Sequence, residues 1–316
     1  MDSMDASRLV SHNRCMRKAL ALCALVLALV SRTRGLPAQQ IPAAIDADPR
    51  ADKQHPAAME AFQLPSHGAR LNALMYIAAG AGPHPVVILL HGFPGNEKNL
   101  DLAQAIRRAG WDVLYFNYRG SWGSPGDFSF THSTEDVASA LAYVRDAANA
   151  ARLRADAKRI VLVGHSMGGF MTAYGAAHDP AVLGAAILSG ADFGAHDFAA
   201  HPTMTEAQVV SMLAPRLAAE GMAPLSGCTP EGLAAEVWVN RAGWDFAAFA
   251  TGLGLRPVLL VTSDDGLAPT AQALAEALRQ GGNKMVTEKH FATDHAYSDK
   301  RIGLQETVLA WLATLP

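Results

Sequence analysis

The chain has 316 residues, half of them apolar and 17% charged, with a formal net charge of −3. That is long enough for one large α/β domain or two small ones, with a substantial buried core. The slightly acidic balance, with no basic stripe interleaved with aromatics, gives no reason to expect nucleic acid as a partner.

Arg14, Arg17 and Lys18 precede a short apolar run over 19–30. A membrane-spanning helix needs roughly 20 apolar residues. The pattern therefore predicts a signal peptide over 1–38 and an exported protein, periplasmic or secreted, with no membrane span after cleavage. Ala38 is the expected last residue of the signal, although Leu36 sits where a small residue is preferred. Of the three cysteines, only Cys228 lies beyond this segment, so no intramolecular disulfide is expected in the mature chain. Residues 39–68, with Pro42, Pro49 and Pro56, read as a linker or N-terminal extension.

The main domain is expected over 69–316, where strand-like and helix-like segments alternate. Residues 71–77 read as a strand. Residues 85–90, PVVILL, form a continuous apolar run of the kind a buried parallel strand needs. A helix is expected over 99–108 and a strand over 111–117. A long helix is expected to open at Ser133 or Thr134, with Asp136 three residues after Ser133 as a capping box and Val137, Leu141 and Val144 on one face. Strands follow over 160–163 and 182–188, with a helix over 167–177 between them. A strand over 258–262, a helix over 270–280, a strand over 285–290 and a helix over 303–315 complete the series. Such alternation implies a mostly parallel sheet with helices on both faces. Residues 191–254 break the rhythm: they hold helix-like segments separated by prolines, and are expected to form a helical cap inserted between two strands.

The chemistry concentrates at the ends of these strands. Gly164-His165-Ser166-Met167-Gly168 follows an apolar strand and precedes a helix rich in small residues. A serine exposed between strand and helix sits on a strained turn, and glycines beside it avoid clashes. Ser166 is therefore the expected nucleophile. It needs a base, and the base needs an orienting carboxylate, in the order Ser, acid, His that accompanies this elbow. Asp264 and Asp265 follow one apolar strand, and His295 follows the next; His295 is the expected base, with His290 left inside its strand. Donors for a tetrahedral oxyanion are expected from the backbone N–H groups of Phe93, in the His91-Gly92-Phe93-Pro94-Gly95 loop, and of Met167. Pro94 has no N–H to give. No HExxH or Cys/His cluster points to a metal, and no P-loop or G-x-G-x-x-G points to a cofactor, so none is expected.

These segments, with Tyr118-Arg119-Gly120-Ser121-Trp122-Gly123, resemble the α/β-hydrolase superfamily over residues 84–316. The stretch from Tyr118 to Gly126 is similar to dienelactone-hydrolase-like esterases and to acyl-aminopeptidases of the prolyl-oligopeptidase type. The resemblance implies the α/β-hydrolase fold and hydrolysis of an ester, thioester or amide through an acyl-enzyme. It also bears on the acid. Similar hydrolases carry a proline four residues after the catalytic Asp, as Pro269 follows Asp265; relatives with adjacent Asp residues use the first, which would make Asp264 the alternative. Ser263 stands where the family carries glycine.

Tyr118 and Trp122, with Phe128 and Phe130, are candidates to line an acyl pocket. Arg119 is expected to pair with an acid at the surface. The expected substrate is a small ester or a short peptide-like molecule. An exported peptidase on the same residues is the alternative, and a peptidase acting at N-termini would need carboxylates from the cap, where Asp192, Asp197, Glu206, Glu220, Glu231, Glu236 and Asp245 are available. A non-catalytic binding protein on the same fold is the third reading.

Overall fold

The computed structural model describes residues 42–194 and 203–316. The expected signal peptide, 1–38, lies outside the described residues. Among the described residues, no helix is long and apolar enough to cross a membrane.

Eight strands form one sheet in the order β1-β2-β4-β3-β5-β6-β7-β8. They are β1 (Ala58–Ser66), β2 (Ala69–Ile77), β3 (His84–Leu90), β4 (Asp112–Phe116), β5 (Ala155–His165), β6 (Gly184–Leu188), β7 (Val258–Thr262) and β8 (Val286–His290). β2 runs antiparallel to both β1 and β4, and every other ladder is parallel. β1 corrects the expectation of a linker over 39–68. Only alternate residues near its end are buried, and it carries Pro65 on an edge, where a missing N–H costs no ladder bond. Such a strand lacks the continuous apolar run that marked its neighbours.

Helices cover both faces. In chain order they are α1 (Ala43–Asp46), α2 (Leu100–Arg108), α3 (Phe130–Arg145), α4 (Ala147–Leu153), α5 (Met167–His178), α6 (Glu206–Ala219), α7 (Pro230–Asn240), α8 (Ala250–Leu253), α9 (Ala268–Gln280) and α10 (Arg301–Leu312). Side chains alternate across a strand, and β3 divides its run accordingly. Val86, Ile88 and Leu90 pack with Val137 and Leu141 of α3 and Phe170 of α5. Val87 and Leu89 pack on the other side with Ile106 of α2 and Leu304 and Val308 of α10. Between β6 and β7 the described residues form α6, α7, a 3₁₀ turn (Ala247–Phe249) and α8.

The long helix α3 begins earlier than expected. Ser129, not Ser133, caps it by accepting from the His132 N–H, and the Glu236 carboxylate of α7 accepts from the N–H groups of Phe130 and Thr131. Asp136 has another task. It is fully buried and accepts from Arg119 Nε at 2.7 Å and from Ser66 Oγ at 2.6 Å. Arg119 meets the expected outer acid in Glu135, but it is itself 7% exposed, and through Asp136 it joins the 118–126 loop to α3, while Ser66 adds β1.

A second buried acid sits at the opposite end of the sheet. Asp112 opens β4, accepts from the Ala78 N–H at 2.8 Å and faces His84 at 3.1 Å. Burial pushes its carboxyl up to about 7, against the opposing effects of the Ala78 N–H and Arg154. A folded-state pKa above the unfolded value stabilises most at low pH, and the gain is lost as pH rises through the folded pKa. The denaturation midpoint of the wild type, measured against Asp112→Asn, should therefore fall between pH 4 and pH 7 and level off above. A shift of this size corresponds to at most about 4 kcal/mol. Parallel pH curves for the two proteins would contradict it.

Candidate active site

β5 ends at His165 and α5 begins at Met167, leaving Ser166 alone between them with φ 59° and ψ −123°. This left-handed backbone is costly for a side chain other than glycine. The neighbouring glycines show why it is held. A Cβ on Gly164 would lie 2.0 Å from the Gly168 carbonyl oxygen, and one on Gly168 would lie 2.0 Å from that of Leu90. Helix α5 therefore approaches the ends of β3 and β5 more closely than any side chain allows. The Ser166 N–H donates to Leu188 O at 2.9 Å, which ties the elbow to β6. Gly168→Ala should cost about 3 kcal/mol or more, since backbone meets backbone and cannot yield. Gly243→Ala, with only one atom at 3.8 Å, should stay within about 0.5 kcal/mol. Thermal melts of the two variants check this contrast.

Loop 91–95 lies against the elbow. A Cβ on Gly92 would come within 2.9 Å of Ser166 Cβ and 3.4 Å of its Oγ, so the loop meets the elbow there, and Phe93, the next residue, lines the same cavity as Ser166. Met167 is the first residue of α5, and a first-turn N–H has no partner inside its helix. The loop is held from behind: His91 is 1% exposed, its ring lies 4.6 Å from that of Tyr118, and the Trp122 indole donates to Pro94 O at 2.8 Å.

His295 and the acid come from the loops after β8 and β7. His295 Nδ1 meets Asp265 Oδ2 at 2.8 Å. Asp265 Oδ1 accepts from the Leu267 N–H at 2.9 Å, and its side chain is 5% exposed. Burial works against the charge on Asp265, but donors from His295, Leu267, Ser189 and Ser263 outweigh it and hold the carboxyl well below the usual carboxylate range. Asp264 points elsewhere: its side chain is 63% exposed and meets His290 Nε2 at 3.1 Å. Of the adjacent pair, Asp265 is the one that reaches His295.

Ser166 and His295 line one cavity of about 270 Å³, together with Phe93, Gly95, His165 and Glu220. No direct hydrogen bond joins Ser166 to His295 in this structure; such contacts commonly tighten when substrate arrives. Tyr118 and Trp122 correct the expected pocket. Tyr118 is fully buried, packed against His91 and Phe116. Trp122 is occupied by Pro94 O on one side and by the Lys98 ammonium 3.9 Å from its ring centre. Phe128 and Phe130 are buried too, and Phe93 at their edge is the aromatic that meets the cavity.

His165, beside Ser166 in the turn, makes a particular contact. Its Nε2 lies 2.7 Å from the His295 carbonyl oxygen, and the two rings are 4.6 Å apart. Burial, with the nearby His295, pushes His165 down to about 4. It therefore stays neutral at ordinary pH and donates to that carbonyl, fixing the loop that carries His295. Of the cap carboxylates, Glu220 lines the cavity, Glu236 holds α3, Asp192 accepts from Gly194 and Phe246, and Asp245 accepts from Ala247. Asp197 lies outside the described residues. Among the described residues, no group of His, Cys, Asp and Glu is placed to hold a metal ion.

A family model described as the α/β-hydrolase fold matches residues 85–217. Solved structures agree with it. A hyperthermophilic esterase from the archaeon Pyrobaculum calidifontis is 20% identical with a TM-score of 0.60, over 81% of this chain and 86% of that one. A putative dienelactone hydrolase from Klebsiella pneumoniae is 18% identical with a TM-score of 0.55, over 82% and 99%. An acylaminoacyl peptidase from Pyrococcus horikoshii is 16% identical with a TM-score of 0.57, over 81% of this chain and 41% of that one. No curated protein matches the chain in sequence. At such identities the structural likeness establishes the fold.

Proposed function

For a chain of the α/β-hydrolase fold, which a family model matches over residues 85–217, we propose a serine hydrolase that cleaves a carboxylic ester through an acyl-enzyme. The observation that carries this reading is the 2.8 Å contact between His295 Nδ1 and a buried, ionised Asp265, with the His295 ring in one cavity with Ser166. Asp265 fixes the tautomer in which Nε2 is free to accept a proton. Ser166 Oγ attacks the ester carbonyl as His295 takes its proton. The negative charge that develops on the carbonyl oxygen meets the N–H groups of Phe93 and Met167. His295 then gives the proton to the leaving alcohol, and water releases the acid by the same steps in reverse order.

Several of the similar structures are named as esterases, which favours an ester over a peptide. One observation favours a peptidase instead: Glu220 brings a carboxylate from the cap to the cavity, where a substrate amine could meet it. A panel of p-nitrophenyl esters of varied chain length beside aminoacyl anilides separates the two. Ester turnover without anilide cleavage is the expected result; anilide cleavage that is lost in Glu220→Gln would favour the peptidase. We also propose export, on the pattern of residues 14–30. The mature N-terminus should lie near Gln39, and mass spectrometry finding an intact residue 1 or 16 would contradict it.

A further inference from the structure

One side chain outside the proposed chemistry ties the loop that carries His295 to the loop beyond Phe93. Arg301 is the first residue of α10, and Asp101 lies in the first turn of α2. A carboxylate at a helix N-terminus is favoured, whereas a cation there opposes the helix macrodipole. The start of α10 therefore gives no reason for an arginine, and the reason lies in what it bonds. Arg301 Nε donates to Asp101 Oδ2 at 2.9 Å, and Nη2 donates to Asp101 Oδ1 and, at 3.0 Å, to Asn99 Oδ1. Nη1 donates to the Ala296 carbonyl oxygen at 3.0 Å. The protons suffice, since a guanidinium carries one N–H on Nε and two on each Nη, and none is asked to serve twice. The acceptors are held in turn. Gln305 Nε2, further along α10, donates to Asp101 Oδ2 at 3.0 Å. Asn99 is 1% exposed, and its N–H donates to Glu97 Oε1 at 2.6 Å. A guanidinium only donates, so the Asn99 amide must turn its oxygen to Arg301, which leaves Nδ2 buried without a partner. A buried donor so placed is costly, and the contact with Arg301 is kept in spite of it.

Both ends of this tie reach the proposed site. Gly95, Asn96 and Glu97 line the cavity from one loop, and Asp294, His295 and Ala296 line it from the other. Ala296 adjoins the proposed base. Consecutive carbonyls are therefore held there, His295 O by His165 of the elbow and Ala296 O by Arg301. Arg301 itself is no part of the cavity lining, so it can act on the chemistry only through the loops it joins. We propose that Arg301 is a positioning residue: its guanidinium, aimed by Asp101, clamps the loop that carries His295 to the loop that follows Phe93, and so keeps the base in register with Ser166. The clamp depends on the shape of the group. One edge of the planar fork meets both oxygens of the Asp101 carboxylate, and the remaining nitrogen is left to face Ala296 O.

This inference rests on the triad proposed above, and its test separates the two. Arg301→Ala, Arg301→Lys, Asp101→Asn and the double variant Arg301→Ala/Asp101→Asn are made in the full chain and assayed on the best p-nitrophenyl ester. Fluorophosphonate labelling carried to completion counts the competent Ser166 sites, and kcat is expressed per labelled site, so that misfolded chains do not enter. Arg301→Ala should lower kcat per site roughly 10-fold or more, with KM within about threefold, because a small displacement of the base is felt in the transition state. Arg301→Lys should show the same loss, since an ammonium has no fork to hold Asp101 and Ala296 O at once. The double variant should be no slower than Arg301→Ala, because Asp101 acts by aiming the guanidinium. Fewer labelled sites with wild-type kcat at each, the mark of a merely structural arginine, would overturn the proposal. So would wild-type kcat in Arg301→Lys, a loss carried by KM, or losses that multiply in the double variant. Should Arg301→Ala fold poorly by thermal melt, Arg301→Lys decides the matter on the same criteria. Failure of the triad itself reads differently: fluorophosphonate labelling that survives Ser166→Ala overturns the reading of the site, whatever the Arg301 variants do.

Discussion

Ser166→Ala is expected to reduce ester turnover by about 10³-fold or more, while leaving the fold intact. A fluorophosphonate probe should label the wild type once, at Ser166, and should not label the variant. The size of the effect follows from the position. Ser166 is the only residue between β5 and α5, its backbone is held at φ 59°, and its hydroxyl shares a cavity with His295. Replacing it by alanine removes one oxygen and alters none of the glycine contacts that let α5 approach β3 and β5. A wild-type melting temperature with no activity would therefore assign the loss to chemistry. A variant that still takes up the label, or that retains turnover within tenfold of the wild type, would place the nucleophile elsewhere.

The parts of the molecule that were legible in the sequence share a physical cause. A strand buried on both faces must be apolar along its whole length, so β3 and β7 announce themselves as PVVILL and VLLVT. The turn at Ser166 needs glycines at fixed offsets, and the clashes that a Cβ would meet at 164 and 168 are the reason. β1 was not legible because it is an edge strand with alternating exposure and two prolines at or near its ends. The start of α3 was misplaced because Ser133 and Asp136 imitate a capping box, whereas Asp136 belongs to Arg119 and Ser66. That pairing spans elements distant in sequence, and no local pattern reports it. Tyr118 and Trp122 were assigned to a pocket for the same reason. Their motif was visible, but only the fold shows that one is fully buried and the other braces Pro94.

Asp265→Asn should be the near-dead member of the adjacent acid pair, with kcat falling by up to about 10⁴-fold and substrate binding retained. Asp264→Asn should be mild. The two side chains are neighbours in sequence but differ in every respect that matters to a catalytic acid. Asp265 is 5% exposed, meets His295 Nδ1 at 2.8 Å, and accepts from a backbone N–H at 2.9 Å. An amide at that place can present its NH₂ to Nδ1, which would favour the tautomer with its proton on Nε2, unable to take one from Ser166. Asp264 is 63% exposed and faces His290, itself half exposed at the end of β8. An exposed pair of this kind contributes about 1 kcal/mol or less, and nothing in it touches the cavity. Kinetics of both variants on one ester, with folding checked by circular dichroism, give the comparison. If Asp264→Asn is the dead variant and Asp265→Asn the mild one, the loop rearranges on substrate binding and the acid is the other residue. If both are mild, His295 is oriented without either, and Asp294, which lines the same cavity, becomes the carboxylate to replace.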